Sequence, residues 1–375
     1  MHKTLENPYP TKEQELLLKA ALMQQDNSII AFEEWKKLVD IEGYLDHGSF
    51  RLLPLLYKNL LKNSVNGDFM NRLKGVYNQS FDKNNELFYE TAKVLQFFHD
   101  RKIRTLLLKG AALTLMAYKD HGVRPMADID LLVPFSQASD TIDLLKNDGW
   151  KAENDQYIEY NLCYGRSIMF SNQEGFELDL HWHPFFESHR NSSDTDFWDH
   201  AVPIKISEIS TLAFCPEDML LHVNVHGMKW NIEPPIRWIA DAISLINSSG
   251  DQFDWRYLLD QVKKYKVNLQ VKFALIYLKN KFNAAIPDFV TDQLKNAHIT
   301  CSERLVFKDS QRNSEKEPDR FFPKLFHLLL IYLQQSNEVG LIKQIIGFIK
   351  YLRFRTAMKG PLHIVWRYIP KIRKK

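Results

Sequence analysis

Residues 105–133 read TLLLKGAALTLMAYKDHGVRPMADIDLLV, and the fold turns on this stretch. Leu106 to Leu108 form an apolar run of buried-strand length. A tight turn at Gly110 then opens an alanine-rich helix, and a charged loop leads into a second strand, Asp128 to Val133. Side chains alternate along a strand, so Asp128 and Asp130 share one face while Ile129, Leu131 and Val133 face the core. Two carboxylates held side by side repel each other unless a cation lies between them. A divalent metal is the simplest reason for the pairing.

A third carboxylate follows in Phe176-Glu177-Leu178-Asp179-Leu180-His181-Trp182. Strict alternation puts Phe176, Leu178, Leu180 and Trp182 on one face of a strand and Glu177, Asp179 and His181 on the other. Asp179 sits at the centre of the polar face and would complete an acidic trio with Asp128 and Asp130.

The order of these features resembles the nucleotidyltransferase superfamily typified by DNA polymerase beta. Its pattern is a glycine turn after a strand, an Asp-x-Asp strand and a later strand with a third carboxylate. More narrowly, LLLKGAAL, YKDHGVRPMADIDLLV, ELDLHWHPF, CPEDMLLHVNVHG and IRWIADAISL look, in that order, like phrases of the uncharacterised bacterial nucleotidyltransferase family. The resemblance runs from about residue 30 to residue 265. It implies an α+β fold, with a polymerase-beta-like core of small mixed sheet and helices between helical flanks. It also implies a reaction: a nucleoside monophosphate passes from an NTP to a hydroxyl of an unidentified acceptor, whether small molecule, glycan precursor or protein.

Asp128, Asp130 and Asp179 are then the expected catalytic and metal-binding residues, for Mg2+ or Mn2+. The first two would bridge two ions, and Asp179 would ligate the ion that activates the acceptor hydroxyl. Lys109, Gly110 and Ala111 fall where the nucleotide's phosphates would lie, with Arg124 as a further nucleotide-binding candidate. Lys109 either neutralises phosphate or extends to solvent. Arg124 either clamps a phosphate or pairs with Asp128. Where the superfamily usually has serine or a second glycine after the turn glycine, this chain has Ala111. Backbone N–H groups at the turn still suit phosphate, but the missing hydroxyl keeps open a catalytically silent binding module of the same fold.

Glu177 and His181 share the Asp179 face and would hold Asp179, touch the acceptor or face solvent. His181 and His183 together suggest zinc only weakly, because a third nitrogen or sulfur ligand at suitable spacing is missing. His222 and His226 lie four apart on a helix opened by Pro216-Glu217-Asp218, and are expected to be satisfied by hydrogen bonds there. Arg237 and Asp241 have the spacing of an i,i+4 ion pair.

Composition agrees with an ordinary folded protein: 375 residues, 45% hydrophobic and 25% charged. The net charge of +3 gives no reason to expect long nucleic acid as a partner. Three cysteines, widely spaced and without a CxxC pair, argue against a disulfide framework. The start, MHKTLENPYPTKEQELLLKA, lacks an apolar signal core, and no apolar run reaches membrane-spanning length, so a cytoplasmic location is expected.

Helical spacing of leucines marks residues 1–100 as a helical N-terminal region, including a helix from Glu86 to Phe98. Residues 101–210 read as the nucleotidyltransferase core, with a helix from Ser136 to Asp148 and strands at Tyr157 to Phe170 and Phe176 to Trp182. Residues 211–315 read as a helical C-terminal domain, and residues 316–375 as a basic amphipathic helical tail. Such a tail either packs on its own domain or makes weak contact with an anionic membrane surface. A membrane-peripheral scaffold acting through it is a third reading of the chain.

Overall fold

The structure is a computed structural model. It describes residues 8–153, 155–185, 194–229 and 236–311, together with residues 325–326, 328–329, 332–333, 336 and 338–355. Helix α1 (Lys12–Leu22) opens with a reciprocal cap, in which Thr11 accepts from the Gln14 N–H and Gln14 accepts from the Thr11 N–H. Its Leu16, Leu17, Leu18, Ala20 and Ala21 are buried. They pack on α2 (Gln25–Leu38) and, beyond the short α3 (His47–Phe50), on α4 (Leu53–Lys62). Helix α5 (Phe69–Asp100) starts well before the expected Glu86 and runs straight toward the first strand. Its polar residues Ser80 and Asn84 are buried, and Asn84 holds a loop of the site described below.

The stretch quoted first gives β1 (Leu106–Leu107), α6 (Lys109–Leu113) continued by a π-helical turn at Thr114–Tyr118, and β2 (Ile129–Leu132). Helix α7 (Phe135–Asn147) and strand β3 (Lys151–Ala152) follow. Next come α8 (Ile158–Tyr164), β4 (Ser167–Ser171), β5 (Glu177–His181) and the short α9 (Thr195–Asp199). A hairpin of β6 (Val202–Ile206) and β7 (Ile209–Ala213) completes a seven-stranded mixed sheet in the order β3-β4-β5-β2-β1-β7-β6. The α+β class is as the sequence implied. β1 lies antiparallel to β2 and parallel to β7, while β2 and β5 run parallel.

The long strand expected from Tyr157 to Phe170 is instead helix, break and strand. Ile158 and Leu162 fall four apart and pack on the core from α8, which ends at Gly165. The Trp182 indole N–H donates to the Gly165 carbonyl at 3.1 Å and so fixes that break.

The C-terminal helices are α10 (Pro216–Gly227), α11 (Arg237–Ser249), α12 (Trp255–Tyr265), α13 (Asn268–Phe282), α14 (Asp288–Asn296) and α15 (Cys301–Ser310). Pro216 opens α10 as the sequence predicts, whereas Pro234 and Pro235 lie outside the described residues. Helix α16 (Leu341–Arg355) is the longest described part of the expected tail. Residues 316–324 and 356–375 of that tail, with several between 327 and 337, lie outside the described residues. Among the described residues, no helix is long and apolar enough to cross a membrane.

Asp218, in the first turn of α10, is fully buried. Its Oδ2 accepts from Cys215 Sγ at 3.3 Å and from the Tyr257 hydroxyl at 3.1 Å, and its Oδ1 has no partner among the described residues. Burial pushes this carboxyl from its ordinary 3.8 up to about 7. The native state therefore keeps a proton that the unfolded chain releases in this window, so stability falls as pH rises from about 4 to about 7. Asp218→Asn is expected to stabilise the protein at pH 8 by on the order of 1–3 kcal/mol in urea unfolding, with the gain gone at pH 4. A loss of stability at both pH values would contradict this.

Candidate metal and nucleotide site

Strands β2 and β5 run parallel in a register that places Asp130 beside Asp179 and Leu132 beside His181. Ile129, Leu131, Leu178 and Leu180 are all fully buried, as the alternation requires, which leaves the acids on the opposite face. Asp130 and His181 are buried and Asp179 is nearly so. The His181 Nε2–H donates to Asp130 Oδ1 at 3.0 Å and to Asp179 Oδ2 at 2.8 Å. Lys109 Nζ reaches the same Asp130 Oδ1 at 2.6 Å. Asp130 thus accepts from both Lys109 and His181.

The charges explain the proton affinities. Burial would raise the Asp130 carboxyl, but Lys109 and His181 outweigh it and hold the group well below the usual range. Asp179 is held down in the same way, chiefly by His181. Burial disfavours the charged His181 ring, yet Asp179 and Asp130 raise its pKa on balance. Asp128 is the exception. Burial and the neighbouring Asp130 and Asp179 charges push it above its ordinary value, against the pull of Lys109 and Arg237.

Asp130, Asp179 and His181 each offer a donor atom, and these atoms lie within 4.8 Å of one another. No other such trio of His, Cys or carboxylate residues occurs among the described residues. Two carboxylate oxygens suit Mg2+ or Mn2+, and the imidazole nitrogen widens the fit toward transition metals. The donor set fits a divalent metal.

The turn that carries Lys109 is strained at an unexpected residue. Lys109 itself takes a left-handed backbone, φ +38°, a conformation that costs a side-chain-bearing residue of order 1 kcal/mol. Gly110 is required for space instead. A Cβ there would lie 2.7 Å from an Arg124 guanidinium nitrogen and 3.0 Å from Met126 Sδ. Arg124 cannot easily yield, because its Nε and Nη2 grip the two oxygens of Asp241 at 2.8 and 2.9 Å, both side chains being buried. Tyr118, at the end of the π-helical turn, donates its hydroxyl to the same Asp241 at 2.8 Å. Gly110→Ala is therefore expected to destabilise the protein by about 1–3 kcal/mol. Urea unfolding checks this, and an unchanged midpoint would show that the Arg124 head can move aside.

Two further residues fix the loop that enters β2. Asn84 of α5 donates to the Arg124 carbonyl at 2.9 Å and accepts from the Met126 N–H at 3.1 Å. Arg237 donates to the Pro125 carbonyl at 2.6 Å. This corrects the expected Arg237–Asp241 pair, since the Asp241 carboxylate is held by Arg124 and Tyr118. The alternative pairing of Arg124 with Asp128 is likewise replaced by the pairing with Asp241.

Among the sequence candidates, Lys109, Asp130, Asp179 and His181 are brought into direct contact, and Asp128 acts on them through its charge. Gly110 and Ala111 are buried at the turn, with Arg124 behind it. Glu177 is exposed. His183 stacks on Phe135 and hydrogen-bonds Asp194 at 2.5 Å. His222 is not satisfied by hydrogen bonds as expected. Among the described residues both of its ring nitrogens lack partners, and it packs edge-on against Phe185 and Phe214. Burial and the nearby Lys109 charge hold it well below the usual histidine range, as a neutral ring. His226 is exposed. Sequence reasoning missed Asn84 and Tyr118, and it gave Asp241 the wrong partner. Asp241 stands out as a lone acid inside the apolar phrase IRWIADAISL, but nothing in that phrase points to Arg124.

Residues 49–283 match the family described as uncharacterised nucleotidyltransferase. Among solved structures, the chain is similar to an antigenic nucleotidyltransferase-like protein from Paracoccidioides brasiliensis, at 19% identity and a TM-score of 0.37, over 58% of this chain and 95% of that one. It is also similar to the lincosamide antibiotic adenylyltransferase LnuA, solved with lincomycin bound, at 17% identity and a TM-score of 0.32, over 42% of this chain and 94% of that one. No curated protein matches the chain.

Proposed function

Because this chain belongs to the family of uncharacterised nucleotidyltransferases, we propose that it transfers a nucleoside monophosphate from an NTP to an acceptor hydroxyl at the Asp130–Asp179–His181 cluster, with Mg2+ or Mn2+ as cofactor. The observation that carries this reading is the trio of donor atoms within 4.8 Å on two parallel strands, with Lys109 beside them. When bound, the metal would neutralise the phosphates and acidify the acceptor hydroxyl. Asp130 and Asp179 would hold it, with His181 supplying Nε2 once its proton is released. Lys109 would move its charge from Asp130 toward the triphosphate, lying as it does at the turn before α6. Asp128, whose carboxyl is raised by burial and by the neighbouring carboxylates, would accept the hydroxyl proton. Arg124 would act from behind the turn, keeping Gly110 in place.

The helical regions, residues 1–100 and 211–315, would select the acceptor around a core at residues 101–210. A small molecule, a glycan precursor and a protein side chain all meet the chemistry. Ala111 favours one competing reading, because it is 2% exposed and offers no hydroxyl at the turn. In that reading the fold binds a nucleotide without turning it over.

Binding comes first in either case and needs no acceptor. Thermal unfolding with each NTP, with and without Mg2+ or Mn2+, should show one nucleotide raising the transition only when metal is present. A ligand at a hundred times its Kd adds about 2.7 kcal/mol. No shift with any NTP would overturn the proposal. Product release from an acceptor screen would then separate the enzyme from the silent module.

A further inference from the structure

Helix α16 is apolar on two sides. One side, through Phe348, Tyr351 and Leu352, joins a small cluster with Leu328, Tyr332 and Tyr164 of α8. Gly347 makes that contact possible, because a Cβ there would overlap the Tyr332 hydroxyl. The other side shows Leu341 and Ile342, each 74% exposed, then Ile345, Ile346 and Ile349 at 52%, 50% and 40%. At 3.6 residues per turn these five fall on one continuous arc. An aliphatic face of this extent, left open, marks an interaction surface.

Charge identifies what it meets. No Asp or Glu follows Glu338, whereas ten lysines and arginines lie between Val339 and Lys375. The chain's net +3 therefore combines a terminal segment of +10 with a remainder of −7. Lys343 and Lys350, seven residues apart on α16, border the apolar arc and make no ion pair among the described residues. Two copies of so basic a segment would repel each other, which argues against self-association through this face. We infer that α16 docks the protein on an anionic lipid bilayer, lying in the interface with its isoleucines in the acyl boundary and its basic residues among the headgroup phosphates. It does not span the bilayer, being too short and too charged. The contact is separate from the acidic cluster and does not depend on chemistry there.

Co-sedimentation of the full chain with phosphatidylcholine vesicles, with and without phosphatidylglycerol, tests this. Binding should require phosphatidylglycerol and fall with added salt. Ile342→Asp combined with Ile346→Asp should weaken partitioning at least about tenfold, while the thermal unfolding midpoint and far-UV circular dichroism stay unchanged and show the variant to be folded. Failure of the wild type to bind phosphatidylglycerol vesicles at low salt would overturn the inference. So would a double variant that binds as well as wild type, since the charges alone would then suffice. A dimer in light scattering that the substitutions dissolve, without vesicle binding, would assign the face to a second copy instead.

Discussion

Asp130→Asn is expected to abolish the metal-dependent nucleotide shift and to weaken metal–nucleotide binding at least about a hundredfold, or ~2.7 kcal/mol. Asn keeps the shape and the oxygen but removes the charge that faces both Lys109 at 2.6 Å and His181 at 3.0 Å. It also leaves Asp179 as the remaining carboxylate in the donor trio. Isothermal titration of wild type and variant with Mn2+ and the preferred NTP measures the loss. Glu177→Gln is the matched control, since Glu177 lies on β5 as Asp179 does but is exposed. It should bind as wild type does. Equal affinity in Asp130→Asn and wild type would remove Asp130 from the site.

Asp241→Ala carries the largest expected cost to the fold. The substitution strands the buried Arg124 guanidinium without its carboxylate, and the Tyr118 hydroxyl loses its acceptor. Breaking such a pair on one side costs about 3–5 kcal/mol, because a charge stays buried without a partner. Replacing both, as Arg124→Met with Asp241→Leu, should recover much of that loss, since the desolvated charge goes too. Nucleotide binding should not recover with it, because the thioether chain introduced by Arg124→Met would no longer back the Gly110 turn as the guanidinium does. Urea unfolding reads the first effect and nucleotide titration the second. Single and double variants of equal stability would show that the stranded Arg124 charge is not the source of the loss.

These two residues also show how far the sequence could be read. The acidic strands were legible because alternation is a local property: Asp130, Asp179 and His181 each sit between buried aliphatic or aromatic neighbours on their own strand. Asp241 lies 117 residues from Arg124, and no local pattern links them. The i,i+4 spacing pointed to Arg237 instead, and tertiary packing overruled it. The β6–β7 hairpin escaped notice because its Ser207-Glu208 turn places Ser207 at φ +53° without the Asn or Gly that marks such turns. Helix α8 was misread because Ile158, Tyr160 and Tyr164 have residue types that favour strands, while packing selects the helical spacing. Lys109, rather than Gly110, bears the left-handed backbone, which no rule of residue preference would assign to lysine.

The most direct test of the central claim is the signal of free Mn2+ in electron paramagnetic resonance, followed as the protein is titrated with and without the preferred NTP. If Asp130, Asp179 and His181 hold the ion, wild type should remove Mn2+ from solution, more tightly with nucleotide, and the bound spectrum should carry a nitrogen coupling that His181→Ala abolishes. Manganese left free at every protein concentration, with or without nucleotide, would contradict the assignment of this cluster as the metal site.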